Sequence, residues 1–117
     1  MVLPHHKHHR KTYLVNKQNI ILYGLLKTKL KKVHLCRALN CSEPTLNSYI
    51  DHPGLMRLDD LTIVAGCFGI HVETLVYCLR RGQQQAKKVD KWYINERTLE
   101  GERLIAEMEQ FYKGVNS

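Results

Sequence analysis

The sequence predicts an all-α chain, a compact bundle of five short helices with an additional C-terminal helix. Three observations predict it. Apolar residues recur at helical spacing in five segments between Lys17 and Leu79, and again after Trp92. The breaks between segments carry helix-ending and helix-starting residues: Asn40, Ser42, Pro53-Gly54 and Gly69. No stretch alternates long enough to build a sheet. At 117 residues the chain suits one domain and not comfortably two.

In order, residues 1–16 form a basic, His-rich arm without periodicity. Its His5–His9 run lacks the fixed ligand geometry of a metal site, so no metal is expected there. Lys17–Lys29 reads as a first helix with Ile21, Leu22, Leu25 and Leu26 on one stripe, where Gly24 costs up to about 1 kcal/mol. Val33–Leu39 is the second, with Leu35, Cys36 and Leu39 inward and Lys31-Lys32 at its opening. Asn40 suits a left-handed exit and Ser42 a new cap. Behind them Leu46, Tyr49 and Ile50 turn a third helix back on the second. Leu58–Phe68 is the fourth, with Asp59 and Asp60 in its first turn, Leu61, Val64, Ala65 and Phe68 inside, and Gly69 as its stop. Ile70–Leu79 is the fifth, with Val72, Leu75, Val76 and Leu79 buried. Residues 81–91 read as a polar linker. In the C-terminal segment 92–117, the stretch Trp92–Lys113 carries a stripe of Leu104, Ile105, Met108, Phe111 and Tyr112. That stripe must be covered, by the chain itself or by a partner.

Lys and Arg number 18 against 11 Asp and Glu, and the pI is about 9.4. Residues 1–42 hold nine basic side chains and no acid, so the positive field leads straight into the second and third helices. Two Lys at a helix start oppose its positive end, a conflict that a phosphate would relieve. The four cysteines make no CxxC pair and show no zinc-finger spacing, so buried or inert thiols are expected, with Cys36 and Cys67 inward and Cys41 just past the turn. Free thiols, with no apolar leader and no membrane span, point to a reducing cytoplasm.

A helix, a turn of three or four residues and a second helix make a helix-turn-helix unit. Over residues 17–80 the order of elements resembles the lambda-repressor-like, or Cro-type, DNA-binding domains. Leu35-Cys36, Leu39, Asn40, Cys41-Ser42, Leu46 and Tyr49 match that family's two-helix motif. LDDLTIVAGCFGIHVETL, residues 58–75, resembles its closing pattern through Leu58, Leu61, Val64, Ala65, Phe68, Gly69, Ile70 and Leu75. The resemblance implies a five-helix domain that inserts its third helix into the major groove of double-stranded DNA, often as a dimer. Carried over by position, Ser42, Glu43, Thr45, Asn47 and Ser48 would face bases, with Asn47 suited to an adenine edge. Lys29, Lys31, Lys32 and Arg57, with Arg10 and Lys11 of the arm, would hold phosphates. Lys32 and Glu43 stand where the family often has Gln, and the exposed recognition face has no Arg.

The expected function is therefore a sequence-specific DNA-binding regulator of the repressor type, cytoplasmic or nucleoid-associated. The alternative is a protein–protein adaptor or assembly component, for example of a phage-type particle, that offers its C-terminal helix to a partner. An enzyme is not expected. There is no Gly-rich phosphate loop, no nucleophile paired with a base, and no residue set that calls for a cofactor.

Overall fold

The computed structural model of the chain describes residues 19–84 and 95–116. These residues are all-α, with no strand among them. They form α1 (Ile20–Thr28), α2 (Lys32–Leu39), α3 (Glu43–Asp51), a 3-10 turn (Pro53–Leu55), α4 (Leu58–Phe68), α5 (Val72–Gln84) and α6 (Glu96–Asn116). No single described helix is long and apolar enough to cross a membrane.

Three of the helices end in the same way. Lys29 after α1, Asn40 after α2 and Gly69 after α4 take φ values of 59°, 56° and 72°. In each case the next amide reaches back five residues: Leu30 to the Leu25 carbonyl, Cys41 to Cys36 and Ile70 to Ala65, all at 3.0 Å. This is the Schellman closure, which satisfies an orphan carbonyl and brings two apolar side chains together across the turn. The sequence supplies an apolar residue at both positions every time. Lys29 bears the left-handed strain that a glycine would avoid, about 1–2 kcal/mol.

One core joins all six helices. Ile21, Leu35, Leu46, Val64 and Leu75 contribute its most completely buried apolar side chains, one from each of α1 to α5. α4 runs over Leu58–Phe68 as its caps predict, but Leu61 and Phe68 lie at the core's edge, half-buried. Tyr49 and Cys67 are likewise half-buried rather than inside.

Two expectations are corrected. α5 begins later than Ile70 and continues through Gln84, so the first residues assigned to the linker are helical, and residues 85–94 lie outside the described ones. Its buried face also differs. Leu75 is inside as expected, but Thr74, Tyr77 and Cys78 are buried with it, while Val72, Val76 and Leu79 are half-buried. The cause is α6, which packs along α5 and rotates the burial toward itself.

α6 settles the C-terminal stripe. Asn95 caps it by a reciprocal pair of bonds with Thr98, at 3.0 and 2.9 Å. Ile105, Met108 and Tyr112 are buried against the same chain, Leu104 is half-buried, and Phe111 remains 38% exposed. Of the two covers open to this stripe, the chain itself supplies the one that Ile105, Met108 and Tyr112 use, so these three are core residues and not partner contacts.

Two polar knots fasten α6. Tyr23 and Lys27, one turn apart on α1, both donate to Glu107, at 2.9 and 2.6 Å. Tyr77 and Arg81, one turn apart on α5, both donate to Glu102. The cation in each knot holds its glutamate below the ordinary carboxylate value, while burial raises Tyr23 and Tyr77 to about 12. A lowered folded pKa means that the carboxylate contribution is complete above the ordinary value of about 4.3. It is lost as the pH falls through the lower folded one. The tyrosines act in the opposite direction. Their contribution is present below about 10 and fades as the pH rises through about 12. Thermal melting midpoints are therefore expected to drop in acid below about pH 4, and a Glu102→Gln variant should show a shallower drop. An unchanged acid limb in that variant would remove the Glu102 knot from the account.

Gly101 lets α6 approach. A Cβ built there would stand 2.5 Å from Tyr77 Cδ2, and the Tyr77 ring is buried with its hydroxyl held by Glu102. A Cβ built on Gly24 would stand 2.4 Å from Phe68 Cε2, but Phe68 is only half-buried. Gly101→Ala is thus expected to lose about 1–3 kcal/mol by overpacking. This outweighs the roughly 1 kcal/mol that alanine contributes in a helix. Urea unfolding that shows a net gain would contradict the close approach.

Candidate nucleic-acid interface

The α2–turn–α3 unit is built as its residues dictate. α2 starts behind Lys31, whose side chain makes no cap bond, and two lysines sit at the positive end of that helix. Leu35, Cys36 and Leu39 are its buried face. Asn40 makes the left-handed exit, and the Ser42 hydroxyl caps α3 by accepting from the Thr45 amide at 3.4 Å, with the two hydroxyls 3.1 Å apart. Pro44 falls in the first turn, where a missing N–H costs nothing. Leu46 and Ile50 are buried and set the rest of α3 outward.

The outward face carries the residues named for base contact. Ser42, Glu43 and Ser48 are exposed, and Thr45 and Asn47 are half-buried. Lys29, Lys31 and Arg57 are exposed, and Lys32 is half-buried. Arg57 precedes α4, where its amide donates to the Asp60 carboxylate at 3.1 Å. Arg10 and Lys11 lie outside the described residues. Lys29 and Lys31 thus lie in the connection before α2, Lys32 opens α2 and Arg57 precedes α4, with Glu43 the acid in the first turn of α3.

Two features were not read from the sequence. Lys32 Nζ donates to Asn47 Oδ1 at 2.9 Å, tying a candidate phosphate holder to a candidate base reader. Asn19 is the second. Its carbonyl oxygen Oδ1 caps α1 by accepting from Ile21 and Leu22 at 2.9 and 3.1 Å, and its Nδ2 donates to the Ile50 carbonyl at 2.9 Å. Asn19 also takes the Tyr112 hydroxyl on its backbone carbonyl at 3.4 Å, so it links α1, α3 and α6. An Asn just before an apolar run is a recognisable cap signal, but its grip on the end of α3 has no local signature.

All four cysteines are free thiols; Cys36 and Cys78 are buried, Cys41 and Cys67 half-buried. Burial, and then the neighbouring Cys36, push the Cys41 thiol up, and burial raises Cys78 to about 12. Thiols so raised are poor nucleophiles. Among the described residues no group of three or more His, Cys, Asp or Glu is placed to hold a metal ion.

Compared with protein families, curated proteins and solved structures, the chain matches none.

Proposed function

We propose that the chain is a lambda-repressor-like helix-turn-helix protein that binds double-stranded DNA by docking α3 in the major groove, and that it serves as a regulator of the repressor type. One observation carries this reading. A capped helix stands outward on a buried Leu46–Ile50 face, with Lys32 bonded to its Asn47 and with Lys29, Lys31 and Arg57 exposed in the connections before α2 and α4. A groove needs such a helix with cations at its flanks. The uncapped start of α2, with two lysines at its positive end, is an arrangement that an anion stabilises.

The adaptor reading drew its support from an acidic, Arg-free recognition face, on which Glu43 is exposed, and from an apolar stripe looking for a partner. Most of that stripe lies inside this chain's own core, which leaves the DNA reading the stronger. The test is fluorescence anisotropy with a labelled random-sequence duplex in 50 mM salt. Binding in the micromolar range is expected for a sequence-independent contact of this kind. No binding under that condition would end the reading.

A further inference from the structure

α3 is closed at its C-terminal end by a different device from its neighbours. α1, α2 and α4 each finish on a left-handed residue, after which a backbone amide returns to a late carbonyl. His52, which follows α3, has φ −135° and ψ 76°, so that closure is not made there. Its amide reaches the Ser48 carbonyl at 2.8 Å. The Ile50 carbonyl, one of the last four of the helix, takes its bond from a side chain thirty-one residues earlier, Asn19 Nδ2 at 2.9 Å.

Asn19 can do this because the two halves of its amide serve different helices. Oδ1 accepts from Ile21 and Leu22 at the start of α1, which leaves Nδ2 as the donating half that faces Ile50. Asn19 is itself fixed twice. Ile21 anchors the start of α1 in the core, and Tyr112 of α6 donates to the Asn19 backbone carbonyl at 3.4 Å. α3, at nine residues, is too short to hold its own ends. The Ser42 cap secures one end and Asn19 the other.

We propose that Asn19 is a positioning residue for α3. It acts through Ile50 rather than on the duplex, tying the C-terminal turn of the outward helix to α1 and, by way of Tyr112, to α6. The proposal rests on the duplex-binding reading above and deepens it.

Two variants separate this role from helix capping. Asn19→Asp keeps the length and still caps α1, but a carboxylate only accepts, so the bond to Ile50 is lost. Asn19→Ser also caps α1, adds no charge, and is one atom too short to serve both helices. The first readout is NMR relaxation on the full chain. In both variants the order parameters of the Tyr49 to His52 amides should fall from the rigid value of about 0.85 toward about 0.6, while those of α1 and α5 stay rigid. A lower urea midpoint with these order parameters unchanged would reduce Asn19 to a stabilising contact and overturn the proposal. The second readout is anisotropy in 50 mM salt with a duplex that wild type has selected from a random pool. Asn19→Ser should bind it at least about threefold more weakly, and bind a random-sequence duplex as wild type does, because phosphate contacts remain. Full affinity for the selected duplex would also overturn the proposal. Absence of duplex binding by wild type would end the nucleic-acid reading, and the relaxation data would still decide whether Asn19 holds α3.

Discussion

Between 50 and 200 mM salt, the affinity of the full chain for duplex DNA is expected to fall about 10³-fold. The figure follows from counting cations. Lys29, Lys31, Lys32 and Arg57 stand at the end of α1 and the starts of α2 and α4, and the arm adds Arg10 and Lys11. Each phosphate neutralised steepens the logarithmic salt slope by about 0.9. Six contacts give a slope near −5, and the four described cations alone give between −3 and −4, or a loss of about 10²-fold. The slope therefore measures whether the arm joins the contact. Replacing Arg10 and Lys11 by glutamine should shift it from the first value to the second. Anisotropy at four salt concentrations is sufficient. A slope near zero would mean that binding, if present, does not run through phosphates.

The helices of the N-terminal two thirds were legible because their signals are local. Asn40, Ser42 and Gly69 each act through the backbone of their own turn, and no distant residue has to be known to read them. α4 has its predicted bounds for that reason. The inner face of α5 was not legible. Val72, Val76 and Leu79 follow the helical period, yet Thr74, Tyr77 and Cys78 are the more deeply buried. What decides between those faces is a helix more than twenty residues further on, entering at Gly101. The Thr74 hydroxyl is buried at no apparent cost because it donates to Glu100, at 2.9 Å. Tyr23 with Lys27, and Tyr77 with Arg81, are unremarked i, i+4 pairs in the sequence until the register of α6 brings a glutamate to each.

The candidate site shows the same division. The exposure of Ser42, Glu43 and Ser48 follows from the period of α3 and could be read directly. The Lys32–Asn47 bond could not, because it joins side chains fifteen residues apart on two helices.

Leu46→Ala is expected to destabilise the domain by about 2–5 kcal/mol. Leu46 is 1% exposed and is the side chain through which the middle of α3 enters the core. α3 has nine residues, too few to hold a helix in water by itself, so its persistence comes from packing. Its Ser42 cap contributes about 1 kcal/mol, and its 3-10 neighbour has no buried residue to share the load. A small domain has only about 5–15 kcal/mol of stability in total, so the loss is a large share of it. Ser48→Ala on the outward face is the control, expected within about 0.5 kcal/mol of wild type. Urea unfolding followed by circular dichroism measures both. An equal midpoint for the two variants would mean that α3 is not held by its buried face. The outward presentation on which groove docking depends would then have no physical support.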